Sequence, residues 1–209
     1  MAIQEMPIGK DNFEKLREGG YYYVDKTLLI KQLLTKKAEV TLITRPRRFG
    51  KSLNMSMLDC FFDNTRNNTD ELFSGLKIEN EPEYRERHKY PTIFITLKGV
   101  GRLTFEDTYE KLIQVIAQLY DRHSYLFDSP NISETDRIAI DNIRKTTPRK
   151  IDLTNSLYLL SKIMYQHYGK KAIILIDEYD VPMAKGNAND YYDEADRDSG
   201  LIHDDFPRG

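Results

Sequence analysis

Residues 40–55 read VTLITRPRRFGKSLNM and carry the strongest structural signal in the chain. An apolar, β-branched run enters a basic turn, the turn ends in Gly-Lys-Ser at 50–52, and a helical pattern follows. A Gly-Lys-Ser turn between a strand and a helix is the setting of a phosphate-binding loop. The stretch therefore predicts a strand at about 39–44, a phosphate-binding loop, and a helix over about 51–62.

Each part of this loop has a chemical role toward a bound nucleotide. Backbone N–H groups at the start of the helix, together with the helix dipole, attract an anion, and Lys51 adds positive charge on the phosphates. The Ser52 hydroxyl can then ligate Mg²⁺. We therefore expect ATP and Mg²⁺ as ligands. The predicted binding segment comprises Arg45, Pro46, Arg47, Arg48, Phe49, Gly50, Lys51 and Ser52.

The segment departs from the usual G-x-x-x-x-G-K-[ST] pattern at one position. Arg45 stands where the first glycine is usual, although glycine tolerates positive φ and lets the backbone approach phosphate closely. Pro46 fixes its own φ and biases Arg45 toward an extended conformation. Arg45, Arg47 or Arg48 would then supply charge that backbone amides supply elsewhere. The same basic cluster also resembles a nucleic-acid patch, so nucleic-acid binding stays open as an alternative.

A second motif follows at residues 171–178, which read KAIILIDE. Its continuous apolar run fits a parallel strand covered on both faces, and ligands bind beyond the carboxyl ends of such strands. Asp177 is the predicted Mg²⁺ ligand of the site, and Glu178 is the predicted catalytic residue, polarising the water that attacks the γ-phosphate. One alternative to this interpretation is structural, an acidic turn that only caps a strand. Asp180 adds a third acid, so a carboxylate metal cluster of nuclease type is a second alternative.

Together these residues resemble the predicted AAA-ATPase-like family, bacterial P-loop NTPases whose members often carry a restriction-endonuclease-like domain downstream. The resemblance runs from about residue 7 to about residue 195 and is carried by the segments 8–17, 21–27, 42–54 and 174–182. In that family an arginine in place of the first glycine is usual.

What the resemblance implies is ATP binding at Lys51 and Ser52, with Asp177 and Glu178 as the acidic pair. It supplies no known substrate. Later strands of family members would carry a polarising sensor residue or an arginine finger.

Composition sets broad limits on the protein. The chain has 209 residues, 40% of them hydrophobic, which is enough for one globular domain with a core. A net charge of −2 gives no global field toward nucleic acid or membrane. The single cysteine, Cys60, lies among apolar residues of a predicted helix and is expected to be a core thiol. The four histidines are scattered and suggest no metal site. No apolar run is long enough to span a bilayer, so we expect a cytoplasmic protein with no membrane partner.

Strands that alternate with helices indicate an α/β fold, a P-loop NTPase with a parallel sheet flanked by helices. Besides the elements above, the sequence predicts a half-buried strand at 21–24 and a strand at 92–97. It also predicts N-caps of helices at Asp11, Asp25, Thr104, Ser133 and Asp152, the last on a helix that ends at Gly169.

The domain prediction is an N-terminal lead-in at 1–37, an incomplete ATPase core at 38–184, and a polar, disordered tail at 185–209. In ATPases with an acid pair on a separate strand, another strand normally lies between the two motif strands and comes later in the chain. We therefore expect a fold truncated after the Asp-Glu strand, with hydrolysis belonging to a longer form. The rival function is a non-catalytic, nucleotide-dependent regulatory module that acts on a protein partner or through self-association.

Overall fold

The chain divides into two compact units in the computed structural model. The first comprises Met1–Phe94 with Tyr168–Asp177, and the second comprises Ile95–His167 with Glu178–Gly209. The residues that the structure describes are 5–44, 49–66, 69–130, 132–182 and 184. Within these residues no helix is both long and apolar enough to cross a membrane. The predicted tail at 185–209 lies outside them, and the predicted domain boundaries stay a prediction.

The elements follow one another along the chain in a helix-rich order. The first helices are α1 (Phe13–Glu18), α2 (Leu28–Lys36), α3 (Lys51–Phe62) and α4 (Asp70–Phe73), followed by 3₁₀ turns at Lys77–Asn80 and Pro82–Glu86. After strand β1 (Thr92–Thr96) come α5 (Phe105–Arg122), a 3₁₀ turn at Ser124–Leu126, α6 (Glu134–Arg144), α7 (Lys150–Thr154), α8 (Ser156–Tyr168) and strand β2 (Ile173–Asp177).

Strands β1 and β2 pair in a small parallel two-stranded sheet, which agrees with the predicted α/β class. Both strands were predicted from continuous apolar runs, and both are confirmed. In β2 the side chains alternate, because Leu175 and Asp177 are buried while Ile174 and Ile176 are exposed. One face of β2 is therefore open to solvent, contrary to the expectation of a strand covered on both faces.

The strand predicted at 39–44 does not form. The segment has no strand structure, and the side chains of Val40 and Leu42 are 86% and 63% exposed. A strand needs a neighbour to satisfy its backbone N–H and C=O groups. Among the described residues no strand pairs with this segment, so its β-branched composition alone does not make it a strand.

Helix α3 forms at the predicted bounds and contributes most to the core of the first unit. Its residue Cys60 is 1% exposed, which confirms the predicted core thiol, and burial raises the pKa of that thiol to about 12. The buried cluster around α3 comprises Phe13, Ile30, Met57, Leu58, Cys60, Phe61, Phe62, Leu72, Phe73, Leu76, Ile78 and Leu175.

Two predicted caps in the first unit are wrong by one or two residues. Helix α1 is capped by Asn12, not Asp11, since the Asn12 side chain accepts a hydrogen bond from the Lys15 N–H at 2.9 Å. Helix α2 begins after Thr27, and Asp25 accepts the N–H and hydroxyl of Thr27 instead of capping the helix itself. The preceding residues 21–24 are not in a strand, although their side chains do alternate between half-buried and exposed.

In the second unit the predicted caps at Thr104 and Ser133 are confirmed, each accepting the backbone N–H three residues on. Asp152 is not a cap. It lies inside α7, where its carboxylate accepts bonds from the Arg149 N–H and guanidinium. The helix predicted to begin at Asp152 is divided in two, α7 and α8.

Candidate functional site

The N-terminus of α3 presents an opening for an anion. Gly50 caps the helix with φ 76°, a left-handed conformation that glycine adopts without strain, and it offers no side-chain acceptor of the kind that a Ser, Thr, Asp or Asn cap provides. The first helical bond runs from the Asn54 N–H to the Gly50 C=O at 3.0 Å. The N–H groups of Lys51, Ser52 and Leu53 therefore precede the helical ladder and are directed outward from the helix end.

Lys51 and Ser52 are the first two residues of α3, and both are half-buried. Lys51 forms no ion pair with any acidic side chain that the structure describes. Lys51 thus lies at the positive end of the α3 helix dipole without a direct ion pair to a described acidic side chain. Phe49, the preceding residue, is exposed. The other predicted binding residues, Arg45, Pro46, Arg47 and Arg48, lie outside the described residues.

Asp177 ends β2, the strand that packs against α3 in the first unit. Its side chain belongs to a residue that is 5% exposed, and no hydrogen bond or ion pair joins it to another residue in the described part of the chain. Carboxylate oxygens are ligands that Mg²⁺ accepts, directly or through a bound water. The Asp177 side chain therefore has the chemistry of a metal ligand.

Glu178 follows in a strained conformation. Its φ is 57°, which is uncommon for a residue other than glycine, asparagine or aspartate, and its carbonyl accepts the N–H of Val181 at 3.1 Å. Such outliers persist only where the surrounding structure maintains them, and they concentrate at functional sites. Glu178 is half-buried and belongs to the second unit.

Within the part of the chain that the structure describes, a larger cluster of metal ligands is not seen. Among the described residues there is no group of three or more His, Cys, Asp and Glu side chains that could hold a metal ion. The predicted Mg²⁺ ligands, a Ser52 hydroxyl and the Asp177 carboxylate, form a smaller set than such a group, because Mg²⁺ keeps several waters and takes phosphate oxygens from its substrate.

Sequence reasoning gave no role to Lys26, which the structure brings to the loop. Lys26 Nζ donates a hydrogen bond to the Phe49 carbonyl at 3.3 Å and lies 3.5 Å from where a Cβ on Gly50 would be. The only sequence signal was the position of Lys26 inside a segment, 21–27, that carries the family resemblance.

Asn54 is a second residue that sequence reasoning missed. It lies in the first turn of α3 and is 1% exposed, yet neither its amide nitrogen nor its amide oxygen has a hydrogen-bond partner among the residues that the structure describes. Buried side-chain amides are normally hydrogen-bonded. The helical pattern of the sequence gives no sign that the amide of Asn54 lacks a partner.

Comparison with known proteins places the chain in a family. The statistical model of the family described as Predicted AAA-ATPase matches residues 7–203, nearly the whole chain. The chain belongs to this family. The resemblance inferred from the phosphate-loop and acid-pair motifs is thereby confirmed.

One related protein is described as "Uncharacterized protein in vnfD 5'region" and comes from Azotobacter chroococcum mcd 1. It is 29% identical over 184 residues, which cover 88% of this chain and 30% of that protein. The present chain thus spans under a third of the length of that relative. No solved structure matches the chain significantly.

Proposed function

We propose that the chain binds Mg·ATP at the N-terminus of α3. The observation that supports this best is the Gly50 left-handed cap, which leaves the first N–H groups of α3 without a side-chain cap and is followed directly by Lys51. Backbone N–H groups at a helix start, a helix dipole and a lysine together suit a polyphosphate. Membership of a family of predicted AAA-ATPases supports ATP over other polyphosphates.

In this proposal the Ser52 hydroxyl and the Asp177 carboxylate hold Mg²⁺. When bound, Mg²⁺ neutralises charge on the phosphates. Glu178 would accept a hydrogen bond from the attacking water and orient it toward the γ-phosphate. Arg45, Pro46, Arg47, Arg48 and Phe49 complete the proposed loop.

Replacement of Lys51 tests binding. We expect Lys51→Ala to abolish the rise in melting temperature that Mg·ATP gives the parent chain, because a ligand that binds only the native state stabilises it. Lys36→Ala, at the exposed C-terminal end of α2, is the matched control and should respond as the parent does. An equal ATP response in the parent and in Lys51→Ala would contradict the proposed site.

Replacement of Glu178 tests hydrolysis separately from binding. We expect Glu178→Gln to bind Mg·ATP as the parent does and to reduce turnover by about a hundredfold or more, since general-base catalysis contributes about 10²–10⁴-fold. The measurement is phosphate release beside a binding titration. Unchanged turnover in this variant would remove Glu178 from the catalytic role.

A non-catalytic function is the second candidate, and the exposed face of β2 favours it. Ile174 and Ile176 are 42% and 36% exposed beside Asp177, so a partner that covers this face would contact the strand that carries a proposed metal ligand. Tight Mg·ATP binding without turnover, coupled to binding of a protein partner, would favour this function. Competition between ATP and an oligonucleotide for Lys51 would instead support the nucleic-acid alternative.

A further inference from the structure

Lys26 lies beside the loop that precedes α3, although it is 23 residues earlier in the sequence than Phe49. Its Nζ is hydrogen-bonded to the Phe49 carbonyl and is in van der Waals range of the Cβ position of Gly50. The ammonium group therefore reaches the backbone immediately before the free N–H groups of α3.

The residues on both sides of Lys26 are fixed to the interior of the first unit. The Asp25 carboxylate accepts hydrogen bonds from the Thr27 N–H at 2.9 Å, the Thr27 hydroxyl at 2.6 Å and the Lys77 N–H at 2.7 Å. The Thr27 hydroxyl accepts in turn from the Ile78 N–H at 3.2 Å, and Thr27 is fully buried. Because these bonds fix the backbone around Lys26, only its side chain is free to change position.

Two lysines and the positive end of a helix dipole belong to this part of the first unit. Neither Lys26 nor Lys51 forms an ion pair with an acidic side chain in the described part of the chain, and the helix dipole adds about half a positive charge. The bond to the Phe49 carbonyl is long, and within the described part of the chain it engages one of the three Nζ donors of Lys26. An anion at the N-terminus of α3 would relieve this repulsion and offer stronger, charge-assisted acceptors.

We propose that Lys26 is a second phosphate-binding lysine of this site. When a nucleotide binds, its Nζ exchanges the Phe49 carbonyl for a phosphate oxygen while Asp25 and Thr27 hold the backbone in place. The proposal rests on the proposed function, since it needs a polyphosphate at the N-terminus of α3. Lys26 thereby supplies positive charge from outside the Arg45–Ser52 segment.

The test is the dissociation constant of Mg·ATP for a set of Lys26 variants. We expect Lys26→Met to weaken binding by about ten- to a hundredfold, the range for loss of one charge-assisted hydrogen bond. Lys26→Gln should lose as much as Lys26→Met, because its amide can donate to a carbonyl but carries no charge. Lys26→Arg should retain most of the affinity. Lys36→Met, which removes an exposed lysine at the far end of α2, is the matched control and should bind as the parent does.

Two roles of Lys26 can be distinguished by the salt dependence of Mg·ATP binding: a charged contact with phosphate, and structural support of the Phe49 backbone. A phosphate contact makes affinity fall less steeply with salt in Lys26→Met than in the parent, since one fewer charge is neutralised on binding. The melting temperature of nucleotide-free Lys26→Met should equal that of the parent.

Parent-like affinity in Lys26→Gln would show that Lys26 only supports Phe49 and would overturn the proposal, as would parent-like affinity in Lys26→Met. A parent chain that binds no Mg·ATP at all would overturn the proposed function as well, and this outcome is distinct because it appears before any variant is compared.

Discussion

Asp25 shows how a single carboxylate can organise a turn that lies far from it in sequence. Burial alone would raise the pKa of Asp25, but the hydrogen bonds from Thr27 and from the Lys77 N–H outweigh this and lower the pKa below its usual 3.8. The ionised form is therefore the one that the folded protein stabilises. Since one of these donors is 52 residues away, Asp25 links the start of α2 to the first 3₁₀ turn.

We predict that Asp25→Asn destabilises the protein by about 1 kcal/mol at neutral pH, because an amide cannot accept all three hydrogen bonds and the site is partly solvated. For a group with a lowered folded pKa, the stabilisation is present above the unfolded pKa and disappears as pH falls through the folded pKa. The difference between parent and variant in urea unfolding should thus be constant near neutrality and shrink below about pH 4. Glu18→Gln, at an exposed acid of α1, should show no such difference. A gap between parent and Asp25→Asn that persists in acid would mean that the carboxylate charge is not the cause.

At the scale of elements, the start of α3 depends on the backbone of Gly50. We predict that Gly50→Ala lowers the stability of the nucleotide-free protein by about 1–2 kcal/mol, the cost of a left-handed conformation for an L-residue. Among the described residues outside its chain neighbours, a Cβ here would meet Lys26 Nζ alone, at the ordinary van der Waals distance of 3.5 Å, so we attribute the cost to φ.

Gly50→Asn is the matched variant, since asparagine visits the left-handed region more readily. It should lose less stability than Gly50→Ala when both are measured by urea unfolding. If the two variants are equally destabilised, the effect comes from the side chain and not from φ.

How well the elements were predicted depends on whether their determinants are local. Helix α3 follows from Gly50 and from apolar periodicity within twelve residues, and β1 and β2 follow from continuous apolar runs. The segment 39–44 has equal β-propensity, but a strand also requires a pairing partner, which propensity cannot supply.

The residues of the candidate site also divide into those that local sequence identifies and those that depend on distant contacts. The phosphate-loop residues and the acid pair are contiguous in sequence and were identified as motifs. Lys26 was missed because its contact with Phe49 spans 23 residues, and Asp25 was misassigned as a cap because part of its bonding goes to Lys77. Asn54 was missed because lack of a partner is a property of three-dimensional packing.

At the scale of the molecule, part of the exposed apolar surface lies on strand β2 and on the β-branched segment 39–44. Ile174 and Ile176 are exposed on β2, and Val40 and Leu42 are exposed on the segment 39–44. Exposed apolar strand surface promotes association between copies.

We predict that the 209-residue chain self-associates as its concentration rises and that Ile174→Thr reduces this association without loss of stability. Threonine keeps the β-branched shape that suits a strand while removing exposed apolar surface. Sedimentation velocity over a range of concentrations measures the effect. Ile93→Thr, at a fully buried position of β1, is the contrast and should destabilise the protein instead. Unaltered association in Ile174→Thr would show that this face of β2 is not the contact surface.

The buried thiol of Cys60 in α3 can report how often the first unit opens. Burial raises the pKa of the Cys60 thiol to about 12, so the thiol stays protonated at pH 8, and burial also keeps reagents away from it. Alkylation of Cys60 therefore proceeds through opening of the first unit, so its rate reports how often that unit opens. Because the chain has one cysteine, a thiol reagent labels Cys60 alone. Cys60 lies on α3, the helix that begins at Lys51. A nucleotide bound at one end of α3 would thus be recorded at the other as slower chemical labelling.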